Sequence, residues 1–289
     1  MKFGQVSDPE TVDLSIPPDA PETDKMLGGK AAKDLKIYVG CAKWNKKDLK
    51  NFYPKGTKDE LAYYSSQFNC IELNATFYRL FPASTFEKWY DTTPAGFKFF
   101  PKLEQTISHF KRLKDVEESV DANVSRFSLL REKLGMPFLQ MHNNFGPKDL
   151  ERVEAFAENW KYDTPLAMEF RHTDWFNDAD VSKKLYQLLE SKKITNVLVD
   201  TAGRRDLMHM RLTTPTAFVR YVGANHESDY TRLDKWIDRL ESWKKKGLKE
   251  AYFFVHQNVE EASPLLSAYF IERLNERIGT DLHIPETLV

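Results

Sequence analysis

Short runs that favour strands recur at even spacing along the chain. They are Lys36 to Ala42, Cys70 to Thr76, Lys98 to Leu103, Pro137 to Met141, Pro165 to Phe170, Thr195 to Asp200, Ala217 to Gly223 and Ala251 to His256. Between them stand segments with helical punctuation: Lys58 to Gln67, Ser84 to Tyr90, Asp121 to Leu134, Pro147 to Trp160, Ala179 to Lys192, Tyr230 to Lys246 and Ser263 to Ile278. Strands alternating with helices predict right-handed crossovers and a parallel sheet. Eight of them favour an α/β fold, a single closed (β/α)8 barrel of the TIM type, over an open doubly wound sheet. Residues 5 to 34 are rich in Pro, Asp and Glu and show neither period. They predict an extended N-terminal arm (1–34) without regular secondary structure, wrapping a barrel domain (35–289) and covering its N-terminal end.

Within each run the parity of the side chains matters, because successive residues of a strand point to opposite faces. Glu169-Phe170-Arg171-His172, with Trp175 just behind, closes the apolar run Pro165 to Met168 with a carboxylate, a guanidinium and an imidazole. Burying such groups without a ligand or mutual pairing costs several kcal/mol in rough terms. The pattern repeats: Glu72 and Asn74 oppose Ile71 and Leu73, Lys98 and Lys102 share a face with Phe100, and Gln140 ends the fourth run. Asp200 stands beside Leu198, Arg220 lies in the seventh run, and His256 and Asn258 end the eighth. In a barrel of this kind the strand C-termini face the active-site mouth. Glu72, Lys102, Gln140, Glu169, Arg171, Asp200 and Arg220 are therefore expected to converge there. The competing reading is a structural network of ion pairs, such as Glu72 with Arg220 or Glu169 with Lys102.

At 289 residues, one barrel of roughly 250 residues is accommodated. Lys plus Arg total 42 against 43 for Asp plus Glu, so no global attraction to nucleic acid or anionic lipid follows. There is no run of about 18 apolar residues and no apolar stretch in Met1 to Gln5, so a cytoplasmic protein without a membrane segment is expected. Cys41 and Cys70 are expected at opposite ends of neighbouring strands, unbridged and buried. No Gly-x-Gly-x-x-Gly turn or Gly-Lys-Ser/Thr loop follows any strand, which leaves dinucleotide and P-loop chemistry without support.

The residue types limit the chemistry. Arg171, Arg220 and Lys102 suit a clamp on phosphate or carboxylate. Glu169 and Glu72 are the proton-transfer candidates, with His172, His109 and Asp200 as supporting groups. Asn74, Tyr78, Gln140, Trp175 and Asn258 are expected to contact substrate. Trp44, Phe77, Tyr78, Phe145, Trp175 and Phe176 cluster beside the exits and mostly suit packing of loops over the mouth. The basic stretches His109-Phe110-Lys111-Arg112 and Gly203-Arg204-Arg205 add positive potential to the same rim. No cofactor is expected. A divalent metal on Glu72, Glu169, Asp200 and a histidine is the minority alternative, since the spacing matches no His-Glu-x-x-His motif.

Several segments resemble one known family. They are Gly40-Cys41-Ala42-Lys43-Trp44, Phe52-Tyr53-Pro54, Phe68-Asn69-Cys70-Ile71-Glu72-Leu73-Asn74-Ala75-Thr76-Phe77-Tyr78, Phe97-Lys98-Phe99 leading to Lys102 and Ile107-Ser108-His109, and Glu169-Phe170-Arg171-His172 with Trp175. In that order they resemble the YecE-like proteins, catalogued as domain of unknown function 72, from about Lys36 to Asn258. The resemblance implies a TIM-type barrel and brings no reaction with it. The chain departs from the family pattern after Gln140 (Met141-His142-Asn143-Asn144), after Arg220 (Tyr221-Val222-Gly223) and at Phe254-Val255-His256-Gln257-Asn258. These departures leave His142, His256 and Asn258 without a role carried over.

Together these features predict an enzyme of hydrolase, lyase or isomerase type that acts on a small anionic, phosphorylated or carboxylated sugar-like compound by acid and base catalysis. Its rivals are a metal-dependent phosphoester hydrolase and a non-catalytic barrel that binds a ligand or nucleic acid. Oligomeric state is open.

Overall fold

The computed structural model describes residues 4–287. Eight strands alternate with helices: β1 Lys36–Cys41, β2 Cys70–Leu73, β3 Lys98–Pro101, β4 Phe138–Gln140, β5 Ala167–Glu169, β6 Thr195–Thr201, β7 Thr216–Gly223 and β8 Glu250–Gln257. The helices are α1 Pro21–Leu27, α2 Glu60–Gln67, α3 Ala75–Tyr78, α4 Ala83–Thr92, α5 Glu117–Phe127, α6 Leu150–Glu158, α7 Asp174–Asn177, α8 Ala179–Ser191, α9 Ser228–Lys246 and α10 Ser263–Ile278. Local signals explain their ends. Asp59 caps α2 by accepting from Ala62 N at 3.0 Å, and Asp178 caps α8 by accepting from two backbone N–H groups. Gly247 ends α9 at φ 115°, and a Cβ there would stand 2.2 Å from the Leu27 carbonyl oxygen.

Every ladder is parallel, but the continuous closure expected from the sequence is not seen. One six-stranded ladder runs β1-β8-β7-β6-β5-β4, and a second holds β2 and β3. Isolated bridges at Phe99/Leu134 and Lys102/Phe138 join β3 to the β4 side. Side chains make the seam between β1 and β2. The Asn69 amide accepts from Val39 N and donates to Ile37 O, both at 2.9 Å. The Tyr64 hydroxyl accepts from Cys41 N at 2.7 Å and donates to Cys70 O at 3.0 Å. Gly40 permits this approach, since a Cβ there would lie 2.2 Å from Cys70 O.

Two apolar layers result. Cys70, Phe100, Phe138, Ala167, Val197, Val199, Phe218, Tyr252 and Phe254 fill the barrel interior, while the alternate residues pack outward against the helices. This corrects the placement of the cysteines. Cys41 and Cys70 are not at opposite ends, because the strand stagger brings both backbones to one Tyr64 hydroxyl. They remain unbridged since their side chains face different layers, Cys41 towards Ser267 and Cys70 into the interior.

The arm also differs from expectation. It contains α1, for which Pro21 at the first turn, Glu22 and Asp24 after it and Gly28 at φ 74° are sufficient signals. Nor does it simply cover the N-terminal end. From Gly4, hydrogen-bonded to Gly203 N beyond β6, it runs along α9, where Asp19 accepts from Arg239 and from Trp243 Nε1. It then reaches the last turn of α9 through Gly29 and Ala32. The first three residues of the expected arm and the last two of the expected barrel domain lie outside the described residues.

Candidate functional site

One step beyond the interior apolar layer, the same strand faces turn polar. Two residues after Cys70, Phe100, Phe138, Ala167, Phe218 and Phe254 come Glu72, Lys102, Gln140, Glu169, Arg220 and His256. The first five are buried and His256 is nearly so. Parity thus brings five of the expected residues together at the C-terminal mouth and adds His256, to which the sequence had given no role.

Arg220 is the hub. Its Nε and Nη2 donate to the two carboxylate oxygens of Glu72, each at 2.8 Å. Nη1 donates to Glu169 Oε2 at 2.6 Å and to Gln140 Oε1 at 3.1 Å. Arg171 Nε donates to the other Glu169 oxygen. Asn74 Nδ2 donates to Glu72 Oε1 at 2.6 Å, and His256 Nε2 lies 3.2 Å from Glu72 Oε2. Lys102 Nζ donates to Gln140 Oε1 at 3.0 Å and sits 4.0 Å from the centre of the Phe77 ring. Of the two pairs expected, Glu72 with Arg220 forms. Glu169 pairs with Arg171 and Arg220 in place of Lys102.

This arrangement sets the charge states. Burial opposes ionisation of Glu72, but Arg220 and then His256 hold its carboxyl well below the usual carboxylate range. For Glu169 burial is likewise outweighed by Arg171 and Arg220, and its pKa falls to about 2. Both glutamates are therefore fixed anions, which makes them poor proton carriers near neutrality. Lys102 behaves oppositely. Burial, reinforced by the nearby Arg220 and Arg171, lowers its pKa to about 7. His109, whose ring packs against Phe77 at 4.9 Å, is pushed down to about 4 by burial and by Lys102, so it is neutral at pH 7.

Three expected residues are misplaced. Asp200 shares the parity of Leu198 and faces outward, where its carboxylate accepts from Trp236 Nε1 at 2.7 Å and pairs with Arg205. The β6 residue facing inward at that level is Thr201. Trp175 is fully buried, with Nε1 donating to Phe145 O at 2.7 Å, so it offers no face to a ligand. The Asn258 backbone N–H is held by Gly223 O at 3.2 Å, and its side chain lies outside the cavity lining. His172 sits on the rim, accepting from Asp174 N at 3.3 Å.

A cavity of about 530 Å³ opens above β1, β2 and β8. Glu72, Asn74, Tyr78, Lys102 and His256 line it, with Trp44, Lys43, Asp48 and Glu260 on its far wall. Of that far wall, sequence reasoning had placed only Trp44 beside the mouth and missed Lys43, Asp48 and Glu260. The signal available was the Ala42-Lys43-Trp44 segment directly after β1, where a barrel carries its first functional loop.

Among the described residues no group of three or more His, Cys, Asp or Glu side chains is arranged to hold a metal ion. The donor set named for a metal fails for a physical reason: Arg220 occupies the space between Glu72 and Glu169, and Asp200 lies on the other side of the sheet. The basic Gly203-Arg204-Arg205 rim is also engaged, Arg204 by Asp206 and Arg205 by Asp200 and Ser15 O. No helix among the described residues is long and apolar enough to cross a membrane.

Comparison with known proteins places these features in a wider group. Residues 38–287 match the family model described as "Protein of unknown function DUF72". The UPF0759 protein YecE of Escherichia coli (strain K12) is 26% identical over 275 residues, covering 86% of this chain and 98% of that protein. The UPF0759 protein YunF of Bacillus subtilis (strain 168) is 35% identical over 151 residues, covering 49% of this chain and 52% of that protein. A DUF72 family protein of Thermotoga maritima MSB8 superposes with a TM-score of 0.64 at 26% identity, covering 83% of this chain and 99% of that one. One from Enterococcus faecalis V583 does so at 0.67 and 19% identity, covering 88% and 100%.

Proposed function

The chain belongs to the DUF72 family of proteins of unknown function, and on that premise we propose that it is an enzyme acting on a small anionic compound in the cavity at the barrel mouth. Lys102 is the proton-transfer group, His256 paired with Glu72 is the second acid or base, and Glu72, Glu169 and Arg220 form a fixed electrostatic frame. The observation that carries this reading is a buried lysine that titrates near neutrality while opening into a cavity. A structural lysine would have its ammonium satisfied by a carboxylate or by several acceptors, whereas both carboxylates near Lys102 are committed to arginines and its Nζ donates to Gln140 Oε1.

The anionic character of the substrate follows from charge. Although the far wall adds Lys43 against Asp48 and Glu260, in the buried cluster itself Lys102, Arg171 and Arg220 face Glu72 and Glu169, so protonation of Lys102 leaves one positive charge in excess there, where the dielectric is low. An anion restores neutrality. Arg220 contributes to this only through the field, because its three nitrogens already donate to Glu72, Glu169 and Gln140.

Binding should therefore depend on pH with a definite sign. With the lysine near pKa 7, the cationic form falls from nine-tenths to one-tenth between pH 6 and pH 8, and affinity for an anion should fall about tenfold. Calorimetric titration with phosphate, glycolate and gluconate at the two pH values checks this. Binding of at least one of them, weaker at pH 8 and abolished in Lys102→Met, is the expected result. If none binds, or if Lys102→Met binds as well as the parent, the reading is wrong.

A further inference from the structure

We infer that Lys102 is a covalent nucleophile whose amine condenses with the aldehyde or ketone carbonyl of a small anionic substrate, forming an imine at the barrel mouth. The inference rests on the reading of this mouth as an anion-binding enzyme site and deepens it by naming the substrate class. In the step, Nζ attacks the carbonyl carbon with its lone pair and the C=O π pair moves onto oxygen. Both nitrogen-bound protons of the neutral amine end on that oxygen, the C–O bond breaks, water leaves and C=N forms. No oxidant or reductant is needed.

Geometry favours the neutral, nucleophilic amine. An ammonium has three donors to satisfy, yet among the described residues the Lys102 Nζ has one hydrogen-bond acceptor, Gln140 Oε1 at 3.0 Å, which Arg220 Nη1 shares at 3.1 Å. Lys133 is equally buried and shows the contrast: its Nζ donates to Tyr90 O, Thr93 O and Thr93 Oγ1, and it does not line the mouth cavity. At Lys102 the remaining neighbours are the Phe77 ring, the more distant Phe138 ring, the Arg220 and Arg171 guanidinium groups, which oppose a further positive charge, and Glu169 and Glu72, which favour one less strongly and are already paired with those arginines. The pKa of about 7 agrees with this.

The cavity also supplies the second requirement, a separate acid to expel water. His256 lines the same cavity, with Nε2 3.2 Å from Glu72 Oε2 and Nδ1 3.8 Å from Glu260 Oε1. An amine without a carboxylate partner beside a histidine held between two carboxylates divides nucleophile from proton donor, as imine formation demands. The cavity, at about 530 Å³, has room for a compact oxo acid or sugar-sized carbonyl compound.

The test uses the full chain with glyoxylate, an aldehyde bearing a carboxylate, and sodium borohydride at pH 7, followed by peptide mass mapping. At that pH about half of the Lys102 side chains are neutral amines, against a few in ten thousand for an ordinary lysine, so Lys102 should be trapped on the order of a hundredfold faster than surface lysines. One carboxymethyl group on Lys102, absent from Lys102→Arg, is the expected result. Adducts confined to surface lysines such as Lys47 and Lys55 overturn the imine. Should Lys102 stay unmodified while anion binding still depends on it, the imine falls and the proton-transfer reading stands; loss of both removes both. The map of the unaltered chain decides the matter even if Lys102→Arg does not fold.

Discussion

Lys102→Met should make the protein more stable, by about 2–4 kcal/mol at pH 7. The side chain is buried, and its pKa of about 7 stands well below the ordinary lysine value of 10.5. Between these two values the unfolded chain binds the proton and the folded chain does not, so stability rises with pH across that window. The cost of keeping Lys102 is thus complete below pH 7, declines above it and is gone by about pH 10.5. Methionine has similar length, fills the space over Phe77 and leaves Gln140 Oε1 accepting from Arg220 Nη1 at 3.1 Å. Denaturant melts at pH 6, 7 and 9 check the result: the variant's advantage should be largest at pH 6 and clearly smaller at pH 9. A lysine that costs stability and is retained at a cavity wall is what a functional site predicts. A variant less stable than the parent at every pH would mark Lys102 as scaffold.

Arg220→Met should have the opposite and comparably large effect, a loss of about 3–5 kcal/mol. Arg220 makes four hydrogen bonds to three buried side chains, and its removal strips Glu72 of both Arg220 contacts. Burial then pushes the Glu72 pKa upward, with only His256 and Asn74 left to oppose it. Adding Glu72→Gln removes the stranded charge, so the double variant should regain a large part of the loss. Thermal or denaturant melts of the single and double variants form the cycle. A single variant within 1 kcal/mol of the parent would contradict the role of Arg220 as the hub. The frame is therefore structural in its energetics even though it serves the site, and the ion-pair reading of the sequence holds for Arg220 and fails for Lys102.

Much of this was legible in the chain, because a strand's alternation survives folding. Cys70 to Leu73 and Lys98 to Lys102 state their inner and outer faces directly, and the inner ones carry Glu72 and Lys102. Where the same logic was set aside, the reading failed. Asp200 follows an inward Val199 and must face outward to Trp236 and Arg205, a placement its charge had obscured. His256 follows Phe254 at the inward spacing and was placed among the strand exits, but the departure from the family pattern there left it without a role. Other features depend on distances that no single strand contains. The stagger that brings Cys41 and Cys70 to Tyr64 belongs to the seam between β1 and β2, and the burial of Trp175 beneath Phe145 belongs to loop packing. The titration of Lys102 is the clearest such case. The sequence offered it as one cation of a clamp, and only its burial, reinforced by Arg220 and Arg171 and not offset by the two glutamates already paired with them, lowers its pKa to about 7.

The most direct test of that claim is the titration of the Lys102 side chain itself, followed by carbon NMR at the lysine Cε of isotopically labelled protein and assigned with Lys102→Arg. The account predicts one lysine signal with a midpoint at about pH 7 that disappears in the variant, apart from the bulk of lysines near their ordinary value. A Lys102 signal that titrates with that bulk would contradict it.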